Sequence, residues 1–362
     1  IKDMTTGEFV DSASIEMSSI KGTRSFKAIG FNNGTEVGPV AASWSLIGGD
    51  VASGSIREGI LKKLNVNVGK IGVFATAEGA KSSVENSEQV DFVSYLSSTP
   101  TGDIRIQAAY GSLTPVEVSI RLKQPKISIK INKLDTVSDS PLLDEWKRVA
   151  VETWTKENLL AVEFVNSAPD IISNEILSNP QYLANSLEQY FSYFISKKTY
   201  VDLDYILVYD YVLSDFYNVE IAYTRQLEKI LSKSRGTFKT ITVAITNNLY
   251  VSARELDVSG WTSHSKKTQK RITPSTPIDN PIEAGITLKY HINYNIRDTI
   301  SLAHEIGHIL IRTSDDHLRE DNTNWNSDNL MNEFPQNNNL EPIQWIYALG
   351  LHADISYFIK EE

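Results

Sequence analysis

The chain has 362 residues, of which 41% are hydrophobic and 22% charged, a composition that predicts a packed interior and excludes global disorder. Acidic residues outnumber basic ones by 45 to 35, and the formal charge of −10 argues against nucleic acid or an anionic membrane as the main partner. There is no cysteine, which excludes disulfides, zinc–thiolate sites, iron–sulfur clusters and cysteine nucleophiles.

The length suits two domains better than one. No apolar run approaches the roughly 18 residues of a membrane-spanning helix. The first residue is Ile1, as expected where a signal segment has been removed or a longer chain cut. Composition shifts near Gln124-Pro125. Residues 1–124 hold 14 of the 19 glycines and one tryptophan, Trp44; residues 125–362 hold the other 5 glycines and five tryptophans. The first part has 12 basic and 13 acidic residues, net −1, and the second 23 and 32, net −9.

Residues 1–20 are small and polar and read as a flexible leader. Beyond them, 41–46, 70–77, 103–109 and 116–122 are alternating or β-branched runs, with Gly48-Gly49, Gly102 and Gly111 at turns. Short strands at this spacing predict an all-β sandwich over 21–124. Ala42-Ser43-Trp44-Ser45, Gly72-Val73-Phe74-Ala75-Thr76-Ala77 and Gly102-Asp103-Ile104-Arg105-Ile106-Gln107-Ala108 resemble a bacterial immunoglobulin-like domain. That resemblance implies a spacer or adhesion module, with a cell-surface or extracellular ligand as its partner. No polar cluster here looks catalytic.

The second part opens on an alternating strand, 125–133. Ser140-Pro141 then predicts a helix start, with Ser140 as N-cap and Leu142, Leu143, Trp146, Val149, Ala150 and Trp154 at helical spacing. Helices at 173–197 and 213–234, and strands at 201–209, 239–246 and 284–290, complete a mixed α/β layer. The stretch 264–281 reads as a surface loop and 341–359 as a C-terminal helix.

His304-Glu305-Ile306-Gly307-His308 lies in an apolar helical segment, 300–311. Histidines four apart share one helix face, so both imidazoles can bind one metal, and zinc suits neutral imidazole. Glu305 falls next to the first ligand, placed to take a proton from water and pass it to a leaving amine. Downstream, Ser327-Asp328-Asn329-Leu330-Met331-Asn332 carries the only methionine after Met17.

The zinc-helix pattern followed by Asn329-Leu330-Met331 resembles the metzincin metallopeptidases. The resemblance covers about residues 125–362, with its specific motifs in 304–331. It implies an α+β zinc-peptidase domain over 125–362, with His304, His308 and His317 as zinc ligands, Glu305 as general base and acid, and Met331 as the turn beneath the metal. The family places Gly and His three and six residues after the second ligand; here those positions are Ile311 and Ser314, and His317 follows as if the turn were lengthened. Asp315 and Asp316 are neighbours of that turn. A zinc-peptidase class with a carboxylate third ligand would use Asp328 or Glu333 instead. Val258–Ser263 is the expected edge strand for pairing with an extended substrate. His264 and His291 read as surface or loop residues, and His352 as packed in the C-terminal helix.

The combined expectation is a secreted, periplasmic or cell-surface bacterial zinc endopeptidase acting on proteins or peptides through zinc-activated water. Its rival is a surface adhesion protein with an inactive peptidase domain. A fragment starting at residue 125 is expected to fold by itself.

Overall fold

The computed structural model describes residues 1–66, 69–97, 104–134, 137, 141–172, 240–246, 260–264, 284–289, 295–311, 325–332 and 335–351. They make a mixed α/β protein with several sheets and few helices, divided into two compact units. One unit takes residues 1–126 together with 155–161 and the described part of 341–362; the other takes 127–154 and the described part of 162–340.

In chain order the strands of the first unit are β1 (Lys2–Asp3), β2 (Ser14–Met17), β3 (Thr23–Lys27), β4 (Ile29–Asn32), β5 (Thr35–Pro39), β6 (Ala42–Ile47), β7 (Gly72–Thr76), β8 (Gly79–Lys81), β9 (Ser83–Ser87), β10 (Gln89–Ser94), β11 (Ile104–Ala109) and β12 (Val116–Leu122). They form two five-stranded sheets, β1-β3-β10-β7-β8 and β2-β12-β11-β6-β9, plus the β4-β5 hairpin. Alternation puts one face of each strand inside. Trp44 and Leu46 of β6, Ile104 and Ile106 of β11, Val118 and Ile120 of β12, and Phe26, Phe74 and Phe92 of the other sheet are all buried. Each such side chain stabilises the unit by about 1.5–3 kcal/mol. Trp44 also places its indole N–H on the Ser87 carbonyl at 2.8 Å. Two sheets with buried faces are consistent with a sandwich.

Two expectations need correction. Residues 1–20 are no leader. β1 pairs with β3, and β2 joins β12 in parallel, Ile15 opposite Ile120. The cause is sparse but regular apolar placement: Ile1, Val10, Ile15 and Met17 are buried, and buried Asp3 is paired with Arg24 at 2.8 Å. Nor is the unit all-β. Helix α1 (Ile56–Lys63) separates β6 from β7, capped by Ser55, whose hydroxyl accepts the Glu58 N–H at 3.1 Å. Ile60 and Leu61 supply its buried side.

The second unit is built on β13 (Lys126–Leu134), β14 (Ala161–Phe164), β15 (Asp170–Ile172), β16 (Thr240–Thr246), β17 (Gly260–His264) and β18 (Ala284–Lys289). The sheet runs β14-β13-β16-β18-β17, with β15 also on β13. β13, β16 and β18 are parallel, and β17, the last in this order among the described strands, is antiparallel to β18. Ile127, Ile129, Ile131, Ile241, Val243, Ile245, Ile286 and Leu288 form its buried rows. Helices α2 (Pro141–Trp154) and α3 (Ile296–Ile311) pack on each other, and α3 packs on β17 and β18. The expected strand at 258–263 is described over Gly260–His264, at the end of the sheet among the described strands; residues 258 and 259 lie outside them. Ser140, the expected helices at 173–197 and 213–234, the strand at 201–209, and nearly all of the 264–281 loop lie outside the described residues.

One stretch of the first unit ends at residue 126, and the unit also takes the described part of 341–362. Helix α4 (Pro342–Ala348) packs on α1 inside the first unit. A β-carbon on Gly59 would stand 2.6 Å from Pro342 Cγ, so the glycine sets how closely the helices meet. Trp345 and Ile346 of α4 are buried. A fragment starting at residue 127 therefore loses the partner of α4. It should bind a hydrophobic dye and melt at a lower temperature than the full chain; equal melting and no dye binding would show that α4 does not need α1.

Candidate metal centre

The centre is built on α3. Asn295 and Asp298 cap it reciprocally: the Asp298 carboxylate accepts the Asn295 N–H at 2.9 Å, and the Asn295 side chain accepts the Asp298 N–H at 3.2 Å. Two tryptophans of α2 hold it from one side. Trp146 donates to the Asp298 carbonyl at 2.5 Å, and Trp154 to the Ala303 carbonyl at 3.2 Å. Both rings are buried, so each bond also satisfies an indole N–H that water cannot reach.

His304, Glu305 and His308 bring one ligand atom each to within 4.8 Å of one another, a group that could hold a metal ion. His304 and Glu305 are buried and His308 is half-buried. The His304 Nδ1 lies 2.6 Å from the Leu330 carbonyl. A carbonyl only accepts, so Nδ1 carries the hydrogen and Nε2 presents a lone pair. His308 Nε2 lies 3.1 Å from His304 Nε2, with the rings at 87°. Two imidazole nitrogens on one tetrahedral zinc, each at about 2.0–2.1 Å, stand roughly 3.3–3.4 Å apart. The observed spacing is within a few tenths of an ångström of that, and the ordered Nδ1–carbonyl bond is the outer support that a metal-binding histidine needs. The residues present fit a zinc ion.

The segment 325–332 supplies that support. Asn329 accepts the Met331 N–H on its side chain at 2.9 Å, and Leu330 donates its own N–H to the Asn339 carbonyl at 2.7 Å. Met331 is fully buried. Its Sδ would be 2.3 Å from a β-carbon on Gly307, and Trp154 Cζ2 would be 3.6 Å from it. The missing side chain of Gly307 is what admits Met331 to the helix, while Trp154 would stand at ordinary contact distance.

Of the expected site residues, His304, Glu305 and His308 come together, and Met331 stands against the same helix. His317, Asp315, Asp316 and Glu333 lie outside the described residues, as do His291 and His352. Asp328 is exposed and belongs to no such group among the described residues. His264 lies in β17. Gly307, Leu330, Trp146 and Trp154, visible in the sequence as motif or apolar helix positions, take supporting roles here that the sequence did not assign to them. Gly307 did carry a signal: a glycine inside an apolar helix costs about 1 kcal/mol relative to alanine, so its presence calls for a packing reason. The Leu330 carbonyl carried none, since every residue has one.

No protein-family model matches the chain, and no curated protein sequence does. Among solved structures, metalloproteinase-II from Bacteroides fragilis is similar over 93% of this chain and 84% of that one, at 12% sequence identity and a TM-score of 0.32.

Gly307→Ala tests the packing. Alanine favours the helix by about 1 kcal/mol, but overpacking against Met331 costs about 1–3 kcal/mol. Urea unfolding should show a net loss of stability. In a Met331→Ala background the same change should be neutral or stabilising. An equal loss in both backgrounds would remove Met331 as the cause.

Proposed function

We propose that the chain is a zinc-dependent metallopeptidase. The observation that carries this reading is the pair of Nε2 atoms 3.1 Å apart, one of them fixed as a lone-pair donor by the Leu330 carbonyl. A helix with two unrelated surface histidines has no reason to bury His304 and anchor its far nitrogen.

In this reading His304 and His308 hold the metal, and His317 is the third ligand. Bound there, zinc supplies Lewis-acid polarisation of a carbonyl and a water whose pKa is lowered to about 7. Glu305, next to His304 and buried, takes the proton from the attacking water and delivers it to the leaving nitrogen. The outer edge of β17 offers its backbone N–H and C=O groups to an extended peptide, which then lies along the edge of the sheet that α3 packs against. Met331 acts from behind the helix, through packing. The N-terminal unit serves as an immunoglobulin-like spacer or adhesion module with an extracellular or cell-surface ligand, and the protein works outside the cytoplasm on protein or peptide substrates.

Glu305→Gln separates holding from chemistry. The variant should keep the metal, because both histidines remain, and lose about 10²-fold or more in peptide cleavage. Cleavage near the level of the unaltered chain would take Glu305 out of the mechanism.

The third ligand is read by metal content. His317→Ala should weaken zinc binding as much as His308→Ala, whereas Asp315→Ala, Asp316→Ala and Asp328→Ala should not. Zinc retained in His317→Ala but lost in one of the aspartate variants would move the protein to the carboxylate-ligand class.

A further inference from the structure

The N-terminal unit contains a cleft of about 400 Å³, within the usual range for a small-molecule site. Asp50, Val51, Ala52, Arg57, Ile71 and Glu157 are among the residues that line it. Its wall is held firmly. Lys70 donates to the Gly48 carbonyl and to Asp50, both at 2.8 Å, and backbone bonds join Val51 to Gly69 and Ile71 to Gly49.

Arg57 is the unusual member. It is only 6% exposed, yet its Nε has no hydrogen-bond partner. Its Nη2 reaches the Ser97 carbonyl at 3.4 Å, and its Nη1 is 3.9 Å from Glu157, too far for a hydrogen bond. Glu157 is turned elsewhere. Its two carboxylate oxygens accept the backbone N–H groups of Ile56 and Arg57, at 2.6 and 3.1 Å, and so cap α1. With Glu58 N–H on Ser55 and Gly54 N–H on the Glu58 carboxylate, the start of the helix is already satisfied. Nε is sealed from solvent, so the donors left to the cleft are the N–H groups of Nη1. Burial lowers the Arg57 pKa, and this outweighs the opposing pull of Glu157. The cation is under-compensated where it stands.

The backbone beneath is strained to keep this arrangement. Glu157 and Asn158 both adopt left-handed conformations, φ 52° and 54°, held by the α1 cap and by Ser97 and Gln124 side chains on the Asn158 carbonyl.

We propose that this cleft binds a small organic carboxylate, its charged end on the Nη1 N–H groups of Arg57 and a short apolar tail against Val51, Ala52 and Ile71. A charge-assisted bond from a guanidinium to a carboxylate strengthens where water is excluded. None of the residues named for it belongs to the His304, Glu305 and His308 group.

The test uses the full chain, with isobutyrate as probe and sulfate at equal ionic strength as the comparison, read by NMR shifts or calorimetry. Isobutyrate should bind saturably in the millimolar range or tighter, and more strongly than sulfate. Arg57→Gln should weaken it by roughly tenfold or more. Ala52→Trp, at an exposed position on the cleft wall, should block it while leaving the fold intact. That variant decides the matter alone if Arg57→Gln fails to fold. Sulfate binding as tightly as isobutyrate would overturn the carboxylate assignment. The absence of saturable binding, or binding unchanged in Ala52→Trp, would overturn the site.

Discussion

The bond from His304 Nδ1 to the Leu330 carbonyl is the constraint on which the candidate metal centre depends. It decides which nitrogen faces inward, fixes the ring's rotation, and ties α3 to a segment 26 residues further along the chain. That segment is held by its own bonds, through Asn329 and Asn339. A histidine pair on an isolated helix would swing through several rotamers and two tautomers. Here the freedom of the first ring is removed before any cation arrives, so that part of the ordering cost falls on folding and not on binding.

The same helix shows how a missing atom can organise a site. Gly307 weakens the helix locally. In return, Met331 packs directly against the helix. Two of the helix's carbonyls, those of Asp298 and Ala303, also receive indole N–H groups. The helix is thus gripped along its length by three buried side chains, none of them a ligand.

Legibility in the sequence followed the range of the interaction. Strands 42–47, 104–109, 116–122 and 126–134 were visible because alternation is written into neighbouring residues, and α2 and α3 because their apolar spacing is. The His-Glu-His group was visible for the same reason. What could not be read depends on distant partners. β2 looks like polar leader until Ile15 is set opposite Ile120. α1 is eight residues long, with Gly59 inside it, and few of its positions carry the periodicity. Arg57 gives no sign in the sequence of being buried beside a carboxylate that is spoken for. The parallel order of β13, β16 and β18 is a property of the crossovers, and strand composition does not encode it.

The assignment of α4 to the N-terminal unit bears on how the protein is made. That unit draws on three stretches of chain, and the unit carrying the histidine pair is threaded between them. As the polypeptide leaves the ribosome, the Gly59 side of α1 emerges well before Pro342, which packs against it. Until that segment follows, the N-terminal unit is incomplete, with an apolar seam open to misassociation. Its closure is a contact between residues far apart in the sequence, of the kind that forms slowly because a long loop must be ordered first. Completion of the first unit thus waits until the segments around the histidine pair have been synthesised.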